Sequence, residues 1–224
     1  MSFFKKYYSR LKTALEKDPD EFLKYISGVI HVGANDGEEA SLYQKRDLSV
    51  IWIEAIPSML DLLKSNIAQF PKQRAITALV TDKEDQTYQF NIANNLGKSS
   101  SIYEFKDHKN IWPDVGYQES ITLSSTTLTR LIAQESIDMS HYQALVMDTQ
   151  GSELLILMGA IPLIPFLQYI KVEVADFEIY EGCCQLKDIN EFMHQHGFHE
   201  IILKPFPIKY SGGMCYDIVF QKNQ

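Results

Sequence analysis

Residues 144–153 read Ala-Leu-Val-Met-Asp-Thr-Gln-Gly-Ser-Glu, and the uncharged run Leu154–Leu167, LLILMGAIPLIPFL, follows directly. Four consecutive apolar residues closed by a polar, glycine-bearing turn read as a short strand buried on both faces, and the apolar run after the turn reads as a buried helix. Strands of that kind belong to parallel sheets covered on both sides by helices. The strand delivers Asp148 to its carboxyl end, the edge at which open α/β sheets bind ligands. Asp148 and Glu153 also suit the first turn of a helix, where a carboxylate is stabilised by the dipole.

The same unit recurs on either side. Val29–Val32 reads as a strand that runs into Gly33-Ala34-Asn35-Asp36-Gly37 and a helix over 38–45. Val50–Glu54 is a second strand, followed by a helix opened by Pro57 with Leu60, Leu63 and Ile67 on one face. Ala75–Val80 reads as a third strand and Tyr88–Ile92 as a hairpin arm. From Ala93 to about Ser120 no periodicity is visible, which marks a functional loop or a hidden element. Beyond it come a helix over Leu128–Gln134, a strand over Tyr169–Ala175, and a helix over Leu186–His196 with Gly197 as its C-cap. The last strands, Ile201–Leu203 and Tyr216–Phe220, have no helix between them and form an antiparallel pair. The fold class is therefore α/β, one mostly parallel sheet with helices on both faces, over residues 28–224 with a loop insertion at about 93–120. Residues 1–27, with Phe4, Tyr8, Leu11, Leu15 and Phe22 near helical spacing, read as an N-terminal helical extension.

The chain has 224 residues, 21 Lys+Arg against 29 Asp+Glu, and a net charge of −8. That length buries a core without disulfides or structural metal, and the acidic balance argues against a nucleic-acid backbone as partner. Cys183, Cys184 and Cys215 form neither a disulfide framework nor a metal-ligand spacing, so no metal is expected. Pro162 and Pro165 interrupt an apolar run already too short to span a bilayer, and the N-terminus lacks a signal-peptide core. A soluble, reduced, cytoplasmic protein is expected, and a homo-oligomer is compatible with the composition.

The glycine loop at the first strand end allows close backbone approach to a ligand, although Asn35 stands where the dinucleotide fingerprint has its second glycine. Glu54 ends the second strand 21 residues after Gly33 (54 − 33), where a carboxylate accepts the hydroxyls of an adenosine ribose or simply faces solvent. Asp82 follows the third strand and either meets an adenine amino group or forms a turn.

VIHVGANDG over 29–37, WIEAIP over 52–57, Ser99–Ser101, MDTQGSELLILMGA over 147–160, VEV over 172–174 and IYEG over 179–182 together resemble the FkbM-type methyltransferase family. The resemblance runs from about Val29 to Phe198. It implies a seven-stranded Rossmann-like sheet and methyl transfer from S-adenosylmethionine, with S-adenosylhomocysteine as product, usually to a hydroxyl. By its pattern Gly33, Asn35 and Gly37 bound the cofactor loop and Glu54 holds the ribose; with the neighbouring His31, Ala34 and Asp36, and with Asp82 and Asp148 at the same sheet edge, these are the expected cofactor-binding residues. Two positions depart from the family's pattern: His31 replaces a usual acid, and Val146 a common lysine. For a hydroxyl on a sugar, natural product or other small molecule, the candidates for the general base are Asp148, Glu173 and, in the long loop, His108. An NAD-dependent oxidoreductase, whose ribose Glu54 would also suit, and a cofactor-binding protein without catalysis are the competing readings.

Overall fold

The computed structural model describes residues 18–223. Of the expected N-terminal helix, Phe4, Tyr8, Leu11 and Leu15 lie outside the described residues, while Phe22 sits in a 3-10 turn, Glu21–Tyr25, and packs on Tyr169 at 5.4 Å between ring centroids.

In chain order the elements are β1 (Gly28–Val32), α1 (Ala40–Lys45), β2 (Ser49–Glu54), α2 (Pro57–Ile67), β3 (Gln73–Thr77), β4 (Leu79–Val80) and β5 (Thr87–Ala93). After these come α3 (His108–Ile111), β6 (Tyr117–Thr126), α4 (Leu128–Gln134), β7 (Ala144–Met147), α5 (Glu153–Gly159), β8 (Tyr169–Ala175), α6 (Leu186–Gln195), β9 (Phe198–Phe206) and β10 (Cys215–Lys222). Seven strands form one sheet in the order β3-β2-β1-β7-β8-β10-β9. The first five in that order run parallel; β10 is antiparallel to both β8 and β9. The order turns back between β1 and β7, the switch point at which an α/β sheet opens a crevice.

Period-two alternation divides the core. Ile30, Ile51, Leu145 and Val172 face α4, α5 and α6, which contribute Leu131, Ile156 and Ile189. Val29, Trp52, Ala144 and Val219 face α1, α2 and the 3-10 turn through Tyr43, Leu63 and Phe22. Local chemistry starts the helices: Ile56 is extended and Pro57 opens α2, the Thr127 hydroxyl accepts from Arg130 N at 3.1 Å at the start of α4, and a Gln185/Asp188 capping box opens α6.

Two expectations change. The third strand breaks at Ala78, whose N–H donates to the Glu54 carbonyl at 3.0 Å, so Gln73–Thr77 stays in the large sheet. Leu79–Val80 pairs instead with β6 in a second, three-stranded sheet of order β4-β6-β5. The aperiodic stretch also ends sooner than read, because β6 begins at Tyr117 as the antiparallel partner of β5. Gln118, Glu119 and Ser120 are all exposed, so apolar alternation marks only the second half of the strand, at Ile121 and Leu123. Among the described residues no helix is long and apolar enough to cross a membrane.

His31, 3 % exposed, belongs to this core as well as to the site. Its ring stacks on Trp52 at 4.8 Å and its Nδ1 is hydrogen-bonded to the Tyr43 hydroxyl at 3.0 Å. Burial, reinforced by the Lys171 charge, drives the imidazole from 6.5 down to about 3, against a smaller opposing pull from Asp20. Between those values the unfolded chain takes up a proton that the folded one refuses, so this residue makes stability fall as pH falls, by about 1.4 kcal/mol per pH unit. Urea unfolding at pH 7 and pH 5 should show His31→Phe losing ~2 kcal/mol less stability than the parent across that interval. Equal losses in both proteins would place the proton elsewhere.

Candidate active site

The loops leaving β1 and β7 bound a cleft with about 840 Å³ of empty space, its open mouth included. Gly33 makes the junction possible. It has φ of 84°, and a Cβ there would lie 1.9 Å from the Asp148 carbonyl oxygen. Replacing Gly33 therefore disturbs the packing of one strand end on another before it touches any ligand. Gly33 N and Ala34 N both donate to the Ile53 carbonyl, at 3.0 and 3.1 Å, tying the loop to β2.

Glu54, 5 % exposed, ends β2 in the cleft wall. Its Oε2 accepts from Asn35 N at 2.7 Å and its Oε1 from Ile56 N at 2.8 Å. Burial raises its pKa, and those main-chain donors pull it back. Each oxygen keeps a second acceptor position, which suits the two hydroxyls of a ribose. Beyond it Ile56, Leu79, Val80 and Phe90 make an apolar end fit for a flat heteroaromatic ring. Asn35 Oδ1 and Asp36 Oδ1 are buried acceptors without a protein partner; such atoms call for a donor, as hydroxyl, amino and ammonium groups provide.

At the other end stands Asp148. Its N–H donates to the Val32 carbonyl at 3.1 Å, extending the β1–β7 ladder by one residue. Met147 pairs with Val172 and Glu173 with Asp217, so Asp148, Glu173 and Asp217 follow one another across the carboxyl edge of the sheet. Asp148 and Glu173 both line a second cavity, with Tyr180, Cys183, Cys184 and Cys215 on its walls. Asp148 alone of these also lines the cleft. Burial, then the Glu153 charge, raises the Asp148 pKa; Asp148 itself, then burial, raises that of Glu173. Two half-buried carboxyls that raise one another in this way titrate as a pair. Lys171, held by Asp20 at 2.7 Å, pairs in register with Val146 and tempers Glu173. The positive charge missing at Val146 thus stands one strand further along the sheet.

Glu153, 2 % exposed, organises the turn after β7. Its Oε1 accepts from Thr149 N at 2.8 Å and from the Thr149 hydroxyl at 3.1 Å, and its Oε2 from Gly151 N at 3.1 Å. Glu153 opens α5, yet the N–H groups it accepts from belong to the turn before the helix and not to the helix's own first turn.

The structure brings His31, Gly33, Ala34, Asn35, Asp36, Glu54 and Asp148 together in the cleft lining, and Glu173 beside it. Three residues stand elsewhere. Gly37 lies behind the loop, toward the Leu63 side chain of α2. Asp82 falls outside the lining because the chain has already crossed to the second sheet; it sits near Gly159 at the end of α5. His108, 1 % exposed, is stacked on Phe105 at 4.0 Å and lines neither cavity, and neither of its ring nitrogens has a hydrogen-bond partner. Burial lowers its pKa to about 4, so the ring is neutral. The segment before β6 is a pinned wall: Lys106 N and His108 N both donate to the Ile179 carbonyl, and Glu181 N to that of Glu104. Sequence reasoning missed Gln150, which lines both cavities; the Asp-x-Gln-Gly turn was its only signal.

The sequence matches the methyltransferase FkbM domain over residues 31–200. The chain belongs to the FkbM methyltransferase family. It is an S-adenosylmethionine-dependent methyltransferase, and the unpartnered acceptors of the cleft, Asn35 Oδ1 and Asp36 Oδ1, fit the hydroxyl and ammonium donors of that cofactor. A curated relative, the 2-O-methyltransferase NoeI of Sinorhizobium fredii (strain NBRC 101917 / NGR234), is 24% identical over 176 residues, 74% of this chain and 70% of that protein. Among solved structures, M. capricolum TrmK in complex with S-adenosyl-homocysteine aligns with a TM-score of 0.52 at 10% identity, over 94% of this chain and 70% of that one. An rRNA methylase from Streptococcus thermophilus aligns at 0.50 with 13% identity, over 94% and 100%. At such identities the two share the fold with this methyltransferase.

Glu153→Ala should strand the Thr149 and Gly151 N–H groups and cost this methyltransferase at least ~2 kcal/mol in urea unfolding. Glu181→Ala, at an exposed carboxylate of the next corner, should cost nothing measurable. Equal stabilities of the two variants would remove Glu153 from the support of the turn.

Proposed function

We propose that this enzyme methylates a hydroxyl of a sugar or similar small molecule, with Asp148 as the base. The observation that carries this reading is the position of Asp148, which faces the cofactor cleft on one side and the second cavity on the other. A base for an alcohol must meet the hydroxyl where the methyl group is presented, and Asp148 stands at that junction. Bound in the cleft, S-adenosylmethionine supplies a methyl group on a sulfonium sulfur, which leaves as the neutral thioether once an oxygen takes the methyl carbon. Glu54 holds the ribose, Asn35 and Asp36 offer their free oxygens to cofactor donors, and Ile56, Leu79 and Phe90 cover the adenine. The acceptor enters on the side of the second cavity. As its oxygen attacks, its proton passes to the ionised carboxylate of Asp148, which Glu173 flanks. The relative named for 2-O-methylation supports an oxygen nucleophile. The net charge of −8 favours a small or glycan acceptor over nucleic acid.

Two variants test the two ends of the site. Glu54→Ala should weaken S-adenosylhomocysteine binding by ~1.5–3 kcal/mol, up to roughly a hundredfold in calorimetry. Unaltered affinity would take the ribose away from Glu54, and tighter binding of NAD than of S-adenosylhomocysteine would point to dehydrogenase chemistry. For the other end, labelled S-adenosylmethionine is presented with free hexoses and short oligosaccharides, and transfer is followed in single turnover. Asp148→Asn should slow it by ~10²–10⁴ while leaving S-adenosylhomocysteine affinity alone. Because the carboxyl pair titrates above the ordinary carboxylate range, the parent should lose rate as pH falls toward and below neutrality. A full-rate Asp148→Asn enzyme would discard the base.

A further inference from the structure

Gln150 has an unusual backbone and an unusual pair of partners. Its φ is +54°, in the left-handed region that side-chain-bearing residues seldom occupy. Such conformations persist where the surroundings over-determine them, and they gather at functional sites. Here the surroundings do so: the Ser101 hydroxyl donates to the Gln150 carbonyl at 2.7 Å, and Glu153 grips Thr149 N and Gly151 N on either side.

That backbone aims the side-chain amide between two groups of the site. Gln150 Nε2 donates to Asp148 Oδ1 at 2.5 Å, and Gln150 Oε1 accepts from the Tyr180 hydroxyl at 2.5 Å. This order is the one that serves the ionised carboxylate, which only accepts, while the amide nitrogen only donates. Tyr180 is itself buried, tilted against Phe105 and His108 with ring centroids at 5.7 and 5.5 Å. The chain Tyr180–Gln150–Asp148 is therefore a strut anchored in the aromatic wall, and it stands at the border of the two cavities.

We propose that Gln150 is a positioning residue for methyl transfer: its amide fixes the Asp148 carboxyl at the junction of the cavities and keeps it in the proton-accepting form. This rests on the reading of Asp148 as base. The groups that act on Asp148 from the packed elements are Glu153 of α5, Glu39 ahead of α1, Glu173 of β8 and Asp217 of β10. All are acids, and Lys171 of β8 is spent on Asp20. Among the described residues, Gln150 Nε2 is the side-chain donor to Asp148. Without it a half-buried carboxylate surrounded by other carboxylates takes up a proton more readily.

The test is a carbon NMR titration of aspartate-labelled full-length protein bound to S-adenosylhomocysteine, with the Asp148 signal assigned by its loss in Asp148→Asn. Gln150→Gly deletes the amide at a φ that glycine tolerates, so the fold survives. Its apparent midpoint for the Asp148–Glu173 pair should rise by about one pH unit. Gln150→Glu, which turns an oxygen toward Asp148, should raise it further, and Tyr180→Phe should raise it less. In hexose methylation the acidic limb of the rate profile should move with the midpoint, with turnover reduced and acceptor KM little changed. An unmoved midpoint in folded Gln150→Gly overturns the strut, whatever Asp148→Asn shows. A raised midpoint beside a full-rate Asp148→Asn enzyme overturns the base and with it a role for Gln150 in proton transfer.

Discussion

The close approach of the Gly33 main chain to the Asp148 carbonyl is the constraint on which the site depends. It is possible because residue 33 has no Cβ and because β1 and β7 run parallel and in register up to Val32 and Met147. Two strand ends locked at that distance send their loops apart, one over Glu54 and the other over Glu173. The crevice is the space left between them. Everything placed there, from the main-chain donors on Glu54 to the carboxyl edge of β7 and β8, takes its position from this contact.

Charge in the site follows from the same register. Parallel pairing of β7 with β8, and the return of β10 beside β8, aligns Asp148, Glu173 and Asp217 along one edge. Sheet geometry thus concentrates acids that would repel one another if all were ionised, and the folded protein accommodates them by raised carboxyl pKa values and by the nearby Lys171 charge. On the proposed reading of Asp148, a carboxyl with a raised pKa is a better match to an alcohol proton than an exposed one, so the packing that makes the row costly would also make it useful. His31 completes the picture from the other side: held neutral against Trp52 and Tyr43, it adds no charge to an already crowded edge.

Much of this was legible in the sequence. Leu128–Gln134, Ala144–Met147 and Tyr169–Ala175 have the bounds read from periodicity, because each is bordered by polar turns and has an apolar face that a core must cover. The Gly33 loop, Glu54 and Asp148 were legible because strand ends in an α/β sheet share one edge. What escaped depends on contacts distant in sequence. β6 carries exposed polar residues and is defined by its partner β5. The third strand divides because β6 captures Leu79–Val80, and Asp82 leaves the cleft as a result. Gln150 and Tyr180 are 30 residues apart, and no spacing rule announces their hydrogen bond. His108 carried a chemical suggestion that packing overrides, since an aromatic stack takes the ring out of reach of either cavity.

The central claim is that one continuous site runs from Glu54 to Asp148, with the methyl donor's sulfur at the Asp148 end. A crystal structure of the enzyme with S-adenosylhomocysteine tests it most directly. The account predicts the ribose hydroxyls on the Glu54 carboxylate, the adenine among Ile56, Leu79 and Phe90, and the sulfur facing Asp148 at the mouth of the second cavity. A ligand bound in the reverse direction, or with its sulfur turned away from Asp148, would contradict it.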